Sequence, residues 1–207
     1  MKSIIRRSFL FFMVAFPLAV QCAGNEFPVP DAETFTLGTS TYAEVMQKMG
    51  DPLGAREIKK NGEPVQTLDY AYRQSGRYSS AVPLDEGVSP TRKLTLYFHK
   101  DILVGQVFTS SYKSDHTNFD ESRVGSIIKD KTTRQEVLDL LGPPSIKLLP
   151  PMVNLPGTES IGYTYSTLRR SGFSFTSVLH KFSKTLIVSF DEKKVVSSVS
   201  YTASGDK

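Results

Sequence analysis

The chain predicts an α+β protein built as two tandem repeats, each with one or two short helices packed on an antiparallel β-sheet. Three observations carry that expectation. A capped helix is written twice, alternating strand patterns follow each copy in the same order, and the copies stay 92–93 residues apart. The whole chain has 207 residues, of which 39% are hydrophobic and 22% charged, enough apolar content for a folded core.

Residues 1–21 read as an export signal: a basic start, then a twelve-residue apolar run from Phe9 to Val20, directly before Gln21 and Cys22. A run that short does not span a bilayer as a helix, so a cleaved or anchored signal is expected. Cys22 is the single cysteine, and a lone free thiol in an oxidising compartment is a liability. A lipid-modified Cys22 is therefore favoured over an ordinary secretory signal. Cys22 resembles the lipobox cysteine of bacterial lipoproteins, although Gln21 stands where Gly or Ala is usual. Ala23 after it resembles sorting to the outer membrane. The formal charge of +4 also depends on this segment. Removing Lys2, Arg6 and Arg7 from the 25 bases leaves 22 against 21 acids, which argues against a nucleic-acid partner.

Residues 22–36, with two prolines in "FPVPD", read as an extended tether. The first copy then covers 37–112, a linker 113–119, and the second copy 120–207. Each opens on a helix. Thr41 stands three residues before Glu44, and Thr133 three before Glu136, which are capping-box spacings. Val45, Met46 and Met49, and in turn Val137, Leu138 and Leu141, form an apolar stripe. Gly50 and Gly142 then stop the helices, followed by Pro52 and Pro144. A further short helix with Asp120 as its cap is expected to bury Val124, Ile127 and Ile128.

The strands follow. "LDYAYR" from Leu68 aligns with "IGYTYS" from Ile161, and "KLTLYFHKD" from Lys93 with "TLIVSFDEK" from Thr185. "LVGQV" from Leu103 aligns with "VVSSV" from Val195. Period-two alternation in these runs predicts half-buried antiparallel strands that turn Leu94, Leu96 and Phe98, or Leu186, Val188 and Phe190, toward the helix stripe.

Helix, "Y-x-Y" strand, "L-x-V-x-F-D" strand and short Val-rich strand together resemble the BamE-like family, also called SmpA/OmlA. The second copy, with "TTRQEVLDLLGPP", "GYTY" and "LIVSFDEKKVVSSVSY", carries the fuller resemblance. The family implies a lipoprotein on the periplasmic face of the outer membrane, accessory to the machinery that assembles outer-membrane barrels. Two copies in tandem resemble the arrangement of the β-lactamase inhibitor protein. That implies an alternative, a periplasmic inhibitor or immunity-type protein that binds an enzyme through its combined sheets.

Catalytic patterns are thin. The three histidines, His99, His116 and His180, stand apart, and neither a metal-ligand spacing nor a phosphate loop accompanies them. Asp115, His116 and Asp120 are read as a solvated linker. A non-enzyme without cofactor or metal is expected. Two stretches exceed what the strands need. "IKLLPPMVNLPG" from Ile146 reads as an apolar loop filling the seam between the copies. "STLRRSGFSFTSVLHKFS" from Ser166 reads as an insert between two strands, with Arg169, Arg170, Phe173, Phe175, Leu179 and Phe182 as candidate partner-binding residues; aromatics rimmed by arginine suit a binding hot spot, although seam packing explains them equally. The loop "QSGRYSSAVPLDEGVSP" in the first copy reads as flexible.

Overall fold

Two threonines set where the helices begin. In the computed structural model, which describes residues 26–29, 34–73, 83–85, 87–153, 158–171 and 178–205, α1 (Tyr42–Met49) and α2 (Arg134–Leu141) each start behind a capping box. The Thr41 N–H donates to the Glu44 carboxylate at 2.8 Å while the Glu44 N–H donates to the Thr41 hydroxyl. Thr133 and Glu136 repeat the exchange at 2.7 Å. Gly50 and Gly142 end the helices at φ of 71° and 79°, a region costly for a side chain. The first tyrosine of each "Y-x-Y" fixes these ends: Tyr70 and Tyr163 donate to the Gly50 and Gly142 carbonyls at 3.0 and 2.9 Å. Burial pushes both phenols up to about 12.

The strands overturn the expected fold class. β1 (Gly54–Lys60), β2 (Glu63–Arg73), β3 (Thr91–His99), β4 (Ile102–Ser110), β5 (Ile146–Leu148), β6 (Ser160–Ser171), β7 (Val178–Phe190) and β8 (Val196–Ser204) form one antiparallel sheet. Its eight strands lie side by side in chain order. Helix among the described residues is limited to α1, α2 and a 3-10 turn at Glu121–Ser126. The chain is thus one continuous sheet with sparse helix, not two helix-on-sheet repeats. The reason is β5, in the segment read as an apolar loop. Ile146 faces Val107 of β4 and Gly162 of β6, and Leu148 faces Gly105 and Ser160. Separate sheets would expose two more edges of unpaired N–H and C=O groups, and β5 satisfies both.

The duplicated pattern survives in the register of this sheet. Bulges fall between Tyr97 and Phe98 and between Ser189 and Phe190. Phe98 then faces Leu103, and Phe190 faces Val196. Leu103 is therefore equivalent to Val196 rather than Val195, a one-residue correction to the sequence alignment.

On one face of the sheet, Leu68, Leu94, Leu96 and Phe98 pack with Val45 and Met49 of α1. Ile161, Leu186, Val188 and Phe190 pack with Val137 of α2 and with Phe119 and Ile127. Phe27 and Phe35, from the stretch read as a tether, are buried in the first of these clusters. Asp120 caps the 3-10 turn, accepting from the Ser122 N–H at 3.0 Å. Ile127 is buried but Ile128 is exposed. The opposite face carries neither α-helix; at its first hairpin the Asn61 amide donates to the Pro151 and Val153 carbonyls at 2.8 and 2.7 Å.

A Cβ at Gly162 would lie 2.4 Å from the Leu186 carbonyl oxygen, whereas one at Gly125 meets nothing. Gly162→Ala should lower the unfolding free energy by about 2 kcal/mol, and Gly125→Ala should change it by no more than about 0.5 kcal/mol, in urea titrations. A second expectation concerns acid. Hydrogen bonds from the Thr41 and Thr133 N–H groups and hydroxyls hold Glu44 and Glu136 below the ordinary carboxylate value of 4.5. A depressed folded-state pKa gives stability that is present above the unfolded value and lost as pH falls through the folded one. Replacing both glutamates by Gln should therefore shrink the drop in thermal midpoint between pH 7 and pH 3; an unchanged drop would refute the role of the boxes.

Candidate functional site

The outer half of the β6–β7 hairpin holds the candidate surface. β6 and β7 pair over twelve positions, from Ser160↔Ser189 to Ser171↔Val178, whereas β2 and β3 pair over eight. The stretch read as an insert is thus largely a continuation of the two strands. Strand alternation then divides the candidate residues between the faces. Arg170 lies directly opposite Leu179 on the helix-free face. Arg169 faces His180, and Thr167 faces Phe182, on the other. Leu179 is 53% exposed and its neighbour Val178 57%, while Phe182 is only 8% exposed and belongs to the interior. Phe173 and Phe175 lie outside the described residues, as does Cys22.

The base of this hairpin is braced by the β2–β3 connection, whose described part is not the flexible loop its polarity suggests. Val88 bridges to Arg169, and the Ser89 N–H donates to the Leu168 carbonyl at 2.9 Å. The Tyr165 hydroxyl donates to Asp85, and burial together with that carboxylate pushes the phenol well above its usual range. Pairing between Asp85 and Tyr165, eighty residues apart, leaves no local pattern in the sequence. Lys184 was also missed. It points inward from β7, donates to the Phe119 carbonyl at 2.6 Å and sits 4.6 Å from the Phe119 ring centre. Its only sequence signal is a cation at an apolar-phase position.

The groups that could do chemistry are dispersed. His99 lies at the β3–β4 hairpin, 3.8 Å from Glu63. The His180 ring lies 2.7 Å from the Ser171 hydroxyl. Asp115 is held by Arg92 at 2.6 Å and accepts from the Ser110 hydroxyl, and Asp120 is used as a cap. No cluster of three His, Cys, Asp or Glu side chains suited to a metal occurs among the described residues. A cleft of about 840 Å3 opens on the helix side between α2 and the 115–119 linker, floored by Gln106, Phe108 and Tyr163. Its acids are Asp115, already paired, and Asp139, which accepts from Gln135 at 2.8 Å.

The helix-free face of β6, β7 and β8 is a field of hydroxyls. Ser160 pairs with Ser189 at 2.8 Å, Thr164 with Thr185 at 3.0 Å, and Ser183 with Ser204 at 3.0 Å. Such cross-strand hydroxyl pairs stabilise the sheet and leave a neutral polar surface.

No protein-family model matches the chain, and no curated protein matches it. The BamE-like resemblance thus rests on the sequence motifs alone. A crystal structure from Streptococcus mutans, described as a candidate β-lactamase inhibitor protein, is weakly similar to this chain. The similarity covers 79% of this chain and 82% of that one, at 11% identity and a TM-score of 0.39. A likeness at that level carries no argument about fold or activity.

The two apolar candidates should separate by stability. Phe182→Ala should cost about 3 kcal/mol or more in urea unfolding, as removal of a buried aromatic does. Leu179→Ser should stay within about 0.5 kcal/mol of the parent. Equal losses would remove Leu179 from the exposed surface.

Proposed function

We propose that this chain is an exported, non-catalytic binding protein, held at the periplasmic face of the outer membrane through a lipid on Cys22. It acts as an accessory or scaffold for envelope proteins. The observation that carries the reading is Leu179, exposed and directly opposite Arg170 on the helix-free face at the outer end of the longer hairpin, with Val178 exposed on the other face of the same strand. Apolar contact area rimmed by arginine is the composition of a protein-binding hot spot. The dispersed histidines and already-engaged carboxylates support a non-enzymatic role. The barrel-assembly machinery is the partner that the sequence resemblance implies.

A photo-crosslinking residue placed at Leu179 in the native envelope should yield a discrete protein adduct that is absent when the probe stands at Lys193. Matching adduct patterns at both positions would sink the hairpin as the contact surface. Separately, Cys22→Ser should abolish incorporation of labelled palmitate; retained label would rule out this anchor.

A second reading, a soluble periplasmic inhibitor, is favoured by the single sheet that runs on through the β4–β5 joint. It expects Thr185→Arg, on the helix-free face, to weaken a 1:1 enzyme complex at least about tenfold. An unchanged complex would exclude it.

A further inference from the structure

The two edges of the sheet differ in chemistry. β1 carries Arg56, Glu57, Lys59 and Lys60 among its seven residues, and charged side chains on an edge strand oppose addition of another strand. β8 has no charge and no proline in nine residues, "VSSVSYTAS". Among the described residues no strand pairs with its outer side.

The repeated register indicates what that side accepts. On β4, the Gly38 N–H donates to the Leu103 carbonyl and the Leu103 N–H to the Ser40 carbonyl, both at 2.8 Å. Just beyond this cover, β5 pairs with Gly105–Val107. On β8, the Asp130 N–H donates to the Val196 carbonyl at 2.8 Å and the Val196 N–H to the Thr132 carbonyl at 2.9 Å. The cover is the same, and no described residue pairs with the outer side of Ser198–Ser204 beyond it. Among the described residues, the equivalent of an edge that is filled in the first half stands open in the second.

We infer that this edge pairs with its counterpart in a second copy of the chain, antiparallel, about a two-fold axis through Tyr201. Tyr201 is the midpoint of Ser198–Ser204, so this centre uses the whole bare stretch without displacing the segment over Val196. The pairing is self-complementary. Ser198 meets Ser204, Val199 meets Ala203, Ser200 meets Thr202 and Tyr201 meets Tyr201, with no like charges opposed. Each pair also shares a face, as antiparallel partners must. The joined sheet then ends at both sides in a charged β1, so the assembly closes at two copies. Pairing β8 with β1 of the next copy would instead run on as an open filament through a charged edge. The dimer is independent of the hairpin contact proposed above.

Ser200 and Thr202 are exposed on the helix-free face and meet each other across the axis. Sedimentation equilibrium of the full chain in density-matched detergent should give twice the protein monomer mass. Ser200→Lys with Thr202→Lys opposes lysines across the axis twice and should raise the dimer Kd at least about tenfold. Ser200→Glu with Thr202→Lys pairs opposite charges in the same register and should restore the dimer, which a merely misfolded variant would not do. A monomeric parent overturns the inference. So does a double-lysine variant of unchanged affinity, or a Glu/Lys variant that stays monomeric.

Discussion

Three residues, Ile146–Leu148, hold the two halves of the sheet together. They pair with β4 on one side and β6 on the other, so every backbone group of this short segment has a strand beside it. An intramolecular hydrogen bond contributes only about 1 kcal/mol net, but a buried donor or acceptor left unmatched costs about 1–3 kcal/mol. Ile146, Gly105 and Gln106 at the joint are all buried. Parting the sheet here would therefore strand several groups at once. Gly105 lets the joint close: a Cβ there would press on the Tyr97 ring at 3.0 Å and on Leu148 at 3.1 Å. The single sheet follows from that joint.

The helices are secondary to it. Each has eight residues, too short to persist alone, and each is held at both ends by side-chain hydrogen bonds. A capping box fixes the start, and a tyrosine from the neighbouring strand binds the terminal glycine carbonyl. Val45 and Val137, both fully buried, then seat the apolar stripe on the sheet.

Much of this was legible in local pattern. The capping threonines, the glycine stops and the inward alternation of Leu94, Leu96, Phe98 and their counterparts follow from propensities acting over a few residues. What local pattern could not carry was pairing between distant segments. "IKLL" is too short to show alternation, and the prolines after it read as loop, so β5 stayed hidden and each half read as having its own sheet, meeting the other only at a packed seam. β1 was hidden because "GAREIKK" is mostly exposed and its charges mask any period. The slip at the last strand arose because the turn from Phe190 to Val196 is one residue longer than the turn from Phe98 to Leu103, and the two successive valines, Val195 and Val196, hide the extra residue. At the candidate site, composition located the arginines and apolar residues, but assigning faces required the β6–β7 register. That register sends Phe182 inward and Leu179 outward, three residues apart.

The differences between the halves bear on function more than their likeness does. In the first half the β2–β3 connection reaches over to the second and ties Val88 to Arg169 and Asp85 to Tyr165. The second hairpin extends four pairs beyond the length of the first, twelve against eight. A two-stranded ribbon standing alone in water is marginal. The brace supplies backbone and side-chain bonds near the base of that longer hairpin, so that Arg170, Val178 and Leu179 are presented from a supported strand pair. Ordering these side chains before a partner arrives lowers the entropy lost on binding. An unbraced hairpin of the same composition would present the same groups with a larger ordering cost. Divergence between two similar halves has therefore produced an asymmetric support, with one half's connection positioning the other half's exposed surface.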